Sequence, residues 1–130
     1  MIIDAALELG TQTVAVTTSE ATDDYIDFDQ VNPDKGTYTV NAELIFTITT
    51  TGTGASGFFA FSLEGDSASS FASPVTLAST GAIAAESVTK NTKYRLKLPA
   101  KHEGFLRGYV TLSGAGAGAM TYHAAIVHLV

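Results

Sequence analysis

Four stretches of this chain alternate apolar and polar residues one by one. Leu44, Phe46 and Ile48 are interleaved with Glu43, Thr47 and Thr49, and Phe59, Phe61 and Leu63 with Ala60 and Ser62. Tyr94, Leu96 and Leu98 are interleaved with Lys93, Arg95 and Lys97. Leu106, Val110 and Leu112 share a side with Gly108, opposite Arg107 and Thr111. Side chains of a strand point alternately to two faces, so each run is a strand buried on one side. The threonines in these runs suit a pleated surface.

Turn signals separate the runs: Asn32-Pro33-Asp34-Lys35-Gly36, Gly52-Thr53-Gly54-Ala55-Ser56-Gly57, Gly65-Asp66-Ser67, Pro99-Ala100-Lys101 and Gly114-Ala115-Gly116-Ala117-Gly118. About eight strands are expected, over roughly 11–17, 24–30, 37–50, 57–64, 74–79, 92–98, 105–113 and 119–129. Short strands at even spacing with Gly and Pro turns form a sandwich or closed barrel. The expected architecture is therefore all-β, an antiparallel sandwich in one domain over residues 1–130, with 1–10 as an N-terminal arm. Asp4 to Leu9 would form that arm or one helical turn. Ala82 to Val88 contains good helix formers but is too short for a helix that stands alone.

The totals exclude several function classes. With 0 cysteines there is no disulfide framework, thiolate zinc site or cysteine nucleophile. A net charge of -6 opposes binding to phosphate backbones, so no nucleic acid is expected as a partner. Hydrophobic residues make up 45% of the chain, too many for disorder. The longest apolar runs, such as Ala124-Ala125-Ile126-Val127, are only a few residues, so no membrane partner is expected. Met1 to Glu8 lacks a basic start and carries two acids, unlike a signal peptide. Ending on Val130, without a polar tail, favours a C-terminus held in the structure.

No motif marks catalysis. Gly52 to Gly57 spells G-x-G-x-x-G, which in a dinucleotide site must open a helix. Phe58-Phe59-Ala60-Phe61-Ser62-Leu63 follows instead, so a hairpin loop is expected. Asp23-Asp24-Tyr25-Ile26-Asp27-Phe28-Asp29 is the densest acidic stretch, with Ile26 and Phe28 turned inward. It lacks the glycine and bidentate-glutamate spacing of a calcium loop, and a solvated strand face is the simpler reading. His123 and His128 fall on opposite sides of one regular strand, and His102 stands apart. No serine has a G-x-S-x-G context. The expectation is a binding protein rather than an enzyme, with no cofactor and no metal.

Charge is more informative. Six of the seven basic residues lie in one stretch: Lys90, Lys93, Arg95, Lys97, Lys101 and Arg107. Of the 13 acids only Glu103 falls within it. Lys93, Arg95 and Lys97 project from one strand face as a basic stripe. Such a stripe keeps an edge strand unpaired, or pairs with an acidic neighbour strand, or docks on an acidic partner. The last strand is apolar on both faces, with Met120, Tyr122, Ile126 and Val130 on one and Ala125, Val127 and Leu129 on the other. It is either central in the sandwich or covered by another subunit. Candidate partner-contact residues are therefore Lys93, Arg95, Lys97, Lys101, Arg107, Ile126, Val127 and Leu129.

Several short strings carry a resemblance. Met1-Ile2-Ile3-Asp4 precedes Gln12-Thr13-Val14-Ala15-Val16-Thr17; Leu63-Glu64-Gly65-Asp66-Ser67 precedes Ser70-Phe71; Leu98-Pro99 leads to Leu106-Arg107-Gly108-Tyr109-Val110 and Ala124-Ala125-Ile126-Val127. Over nearly its full length the chain resembles the capsid cement, or decoration, proteins of tailed bacteriophages. The resemblance implies a jelly-roll fold and a non-enzymatic role on the outer surface of an icosahedral shell. The implied partner is the major capsid protein, whose neighbouring subunits the protein would tie together after synthesis in the bacterial cytoplasm. It also implies a homo-oligomer, a dimer before a trimer, using a self-complementary patch. The last strand (Ile126, Val127, Leu129) and Phe58, Phe59 and Phe61 are the candidate patches. The alternative is a carbohydrate- or receptor-binding sandwich of a virion, which the 0 tryptophans weaken. A cupin-type enzyme would need clustered histidines that this chain lacks.

Overall fold

The computed structural model describes residues 2–27, 42–99 and 104–128, with side chains from Glu8 to Val127 within those ranges. Two antiparallel sheets face one another. One contains β1 (Ile2–Gln12), β10 (Thr121–His128), β4 (Ala42–Thr50) and β8 (Lys93–Lys97), in that order. The other has β9 (Phe105–Ala115) and β5 (Ser56–Asp66) at its centre. Short β2 (Glu20–Ala21) and β3 (Ile26–Asp27) pair with β9, and β6 (Val75–Ser79) and β7 (Ile83–Ala84) pair with β5.

Taking β2 with β3 and β6 with β7 as interrupted single strands leaves eight. The first then pairs with the eighth, the second with the seventh, the third with the sixth and the fourth with the fifth. The third also pairs with the eighth and the fourth with the seventh, giving the two four-stranded sheets of a jelly roll. The expected all-β jelly-roll sandwich is the fold of this chain.

The core is made by the faces that the alternation marks. Leu44, Phe46, Ile48, Tyr122, Ala124 and Ile126 of one sheet meet Phe59, Phe61, Leu63, Leu106 and Val110 of the other. Phe46 joins the layers, with its ring centre 5.0 Å from Phe61 and 5.4 Å from Tyr122. Tyr94 stacks on Phe61 at 4.9 Å. Each such pair contributes about 0.5–1.5 kcal/mol beyond its buried area. Opposite Phe46 sits Gly108, where a Cβ would lie 2.7 Å from the Phe46 ring and 2.8 Å from Thr22. The small residue in the middle of β9 is what makes room for the ring.

The glycine-rich motif opens no helix, but it is not the expected hairpin loop either: it carries the chain from β4 in one sheet to β5 in the other, two strands that do not pair. Gly54, at φ 115°, would put a Cβ 2.3 Å from the Gly116 carbonyl oxygen, and Gly57 would put one 2.5 Å from Ala117. Thr53 and Gly118 exchange backbone hydrogen bonds of 2.9 and 3.0 Å across the same contact. The two loops pack backbone to backbone, leaving no helix N-terminus for a phosphate.

Several boundaries differ from expectation. Residues 2–10 are not an arm but belong to β1, paired with β10 through register shifts between Ile3 and Glu8 and between Glu8 and Gly10. Beyond Gln12 the strand stops. Val14 is largely exposed, and the Val16 amide reaches Met120 by a single backbone bond of 2.9 Å. Of the strand expected at 24–30 the described part holds β3, with Ile26 turned inward, and β2 precedes it at Glu20–Ala21, where no strand was expected. Ala82 to Val88 forms β7 and a 3-10 turn at Ala85–Ser87. Phe28, Asp29 and the expected start of the next strand at 37–41 lie outside the described residues.

Candidate partner-binding site

The basic stripe lies on a sheet edge. Among the described residues β8 is the last strand of its sheet, and Lys93, Arg95 and Lys97 are exposed on the face away from the core. Arg95 Nη1 donates to Glu43 Oε2 at 3.4 Å, while Lys93 and Lys97 make no ion pair with a described residue. An exposed pair of this length adds little stability. The row therefore does two things that the sequence allowed: it leaves cations on an open edge, and it pairs once with the neighbouring strand. Lys101 lies outside the described residues.

Arg107 is not part of that row. It belongs to β9 in the middle of the other sheet, on the outer face. Its Nε donates to Oε1 of Glu64, the residue directly opposite on β5, at 2.9 Å. Its guanidinium carbon lies 4.4 Å from the centre of the Phe71 ring and 5.5 Å from that of Tyr109. Tyr25 packs edge-on against both Phe71 and Phe105, at 6.0 and 5.7 Å, and is half-exposed.

Asp66 builds the loop that brings Phe71 there. Its carboxylate accepts from the Ser73 amide at 2.9 Å, the Ala68 amide at 3.1 Å and the Ser67 hydroxyl at 3.4 Å. The Ser73 amide, seconded by Ala68 and Ser67, holds the Asp66 carboxyl below the usual range despite its burial. The Phe71 amide closes a turn onto the Ala68 carbonyl at 3.1 Å. Sequence reasoning passed over Tyr25, Glu64, Asp66 and Phe71 as site residues. The available signal was a lone aromatic, Phe71, in the polar run 67–74.

The apolar candidates are corrected. Ile126 is fully buried in the core, as are Phe59 and Phe61, so these side chains offer nothing to a partner. β10 lies between β1 and β4, with one face in the core and the outer-face residues Ala125 and Val127 also buried. Val127 is 1% exposed, and with Ile45 and Ala125 lies away from the main core. Their burial is achieved within the single chain and needs no second subunit. Leu129 lies outside the described residues. Phe58, at 41% exposed, is the one aromatic of its run left at the surface.

Glu20 Oε1 is buried without a hydrogen-bond partner. Burial, and then the Asp23 carboxylate, push the Glu20 carboxyl up. Tyr122, between the sheets, is pushed up by burial and by Glu20 and Asp23. His123 Nε2 lies 3.7 Å from Glu8 Oε1 on the outer face. Among the described residues no three His, Asp or Glu side chains form a metal-binding group, and no helix is long and apolar enough to cross a membrane.

No curated protein matches this chain. The Bbp16 family matches residues 11–126, from the end of β1 to within β10. That span contains the basic edge, the Arg107 cluster and nearly every core strand. The chain belongs to the Bbp16 family, a family of phage proteins.

Proposed function

We propose that this chain is a structural virion protein that binds the outside of an icosahedral phage capsid and cements neighbouring major-capsid subunits. The observation that carries the proposal is the solvent-facing row Lys93, Arg95 and Lys97 on an open sheet edge of a chain with net charge -6. A cationic edge on an acidic molecule orients its approach to an acidic surface. Membership of a phage protein family, together with the resemblance to cement proteins, favours the major capsid protein as that surface. In this role the chain performs no chemistry and holds no cofactor. Repetition over a lattice makes weak single contacts sufficient.

Cementing itself is tested by mixing purified protein with expanded, empty capsids of the same phage and heating them. A rise in the rupture temperature is expected. An unchanged rupture temperature at saturating protein would remove the cementing role.

A further inference from the structure

The outer face of the β9–β5 sheet contains an arginine more elaborately held than a structural ion pair requires. Glu64 takes its Nε, Phe71 covers it at 4.4 Å and Tyr109 flanks it at 5.5 Å. These contacts fix the guanidinium in position and orientation. Its side chain is 20% exposed, and among the described residues Glu64 is its one hydrogen-bonded partner. That accessible fifth is the part of the side chain a partner can reach.

Arginine has five donors in a planar fork. One carboxylate on Nε leaves the Nη end of the fork open to a second. A point cation such as lysine would balance Glu64 as well but could not serve two carboxylates in this geometry. The Phe71 ring that covers the fork also packs edge-on against Tyr25, which is half-exposed and braced as well by Phe105. An arginine and a partly exposed tyrosine packed on one phenylalanine ring have the composition of a protein-binding hot spot.

We propose that Arg107 is a pre-oriented receptor for a carboxylate side chain of a partner protein, bound end-on by its Nη groups with Tyr25 packing beside it. The site is separate from the β8 edge, lying on the other sheet. It rests on the protein-binding reading given above but specifies a different contact and a ligand chemistry.

The probe is a hexaglutamate peptide titrated into isotope-labelled protein, followed by the Nε–Hε signal of Arg107 and the ring signals of Tyr25. Both are expected to move saturably, and Arg107→Lys, with the charge kept and the fork lost, is expected to weaken the peptide at least about tenfold. Tyr25→Ser, at an exposed position, is a second variant that leaves the core untouched and is expected to weaken it several-fold. Movement confined to Lys93, Arg95 and Lys97, or wild-type affinity in a folded Arg107→Lys, would overturn the proposal. No capsid enters this titration. A protein that takes the peptide at Arg107 yet fails to protect capsids loses the cement role and keeps this site, and the converse loses only the site.

Discussion

The guanidinium carbon of Arg107 lies 4.4 Å from the centre of the Phe71 ring, and Phe71 adopts a backbone φ of 49° in the loop that puts it there. A bulky residue in the left-handed region is strained by roughly 1–2 kcal/mol. The strain is offset by a ring buried against Arg107 and Tyr25 and by the turn that Asp66 ties together.

Phe71→Ala should therefore cost about 3 kcal/mol, as for other buried phenylalanines. Phe71→Gly should cost about 1 kcal/mol less than Phe71→Ala, because glycine removes the ring and the strain together. At an ordinary buried position alanine is the milder replacement. Urea unfolding of the two variants reads the order directly.

Asp66 gives this loop a pH dependence. Its carboxyl is held below the usual range, chiefly by the Ser73 amide, so the native state favours the ionised form. That contribution is complete above the unfolded-state value, about pH 4, and is lost as pH falls through the lower native value. Asp66→Asn should be less stable than wild type at neutral pH, with the gap closing in strong acid. Tyr25 ring signals followed against pH would show the loop releasing Phe71; a gap that stays constant from neutral pH into strong acid would contradict the assignment.

Glu20 has the opposite sign. Its carboxyl is pushed up by burial and by Asp23, and one oxygen is buried without a partner. The native state then binds the proton more tightly than the unfolded chain. Stability must fall as pH rises from the unfolded-state value, about 4.3, through the native one. Glu20→Gln should stabilise the protein at neutral pH and flatten that slope. A less stable Glu20→Gln protein at pH 7 would show that the carboxylate has a partner.

Gly108 tests the packing of the two sheets. An alanine Cβ there would press on the Phe46 ring and on Thr22, which also exchanges hydrogen bonds with the Gly108 backbone. Gly108→Ala should lose about 1–3 kcal/mol by overpacking. Thermal unfolding close to the wild-type temperature would mean that the ring can move aside.

The strands of the core were legible because burial on one face imposes period two, and Phe59-Phe61-Leu63 and Leu106-Gly108-Val110 carry it plainly. The edges were not. β1 pairs through two register shifts, which scramble the alternation of Ile2 to Gln12. Thr13 to Thr17 alternates like a strand but has no sheet partner for its length, so Val14 is left in solvent. β2 is two residues long, below what any periodicity can show. The last strand read correctly as apolar on both faces, and the outer-face residues Ala125 and Val127 are buried without a second subunit. The basic stripe was legible residue by residue. Arg107 looked like its continuation only because sequence distance says nothing about which sheet a strand joins. The cluster around Arg107 depends on Glu64, Phe71 and Tyr25 meeting across the fold, and no local pattern encodes that.

Co-sedimentation with expanded, empty capsids tests the central claim most directly. Wild-type protein should pellet with the capsids, while the Lys93→Glu, Arg95→Glu, Lys97→Glu triple variant should stay in the supernatant with an unchanged unfolding curve. Wild-type protein left in the supernatant, or a folded triple variant that pellets as well as wild type, would contradict capsid binding through the β8 edge.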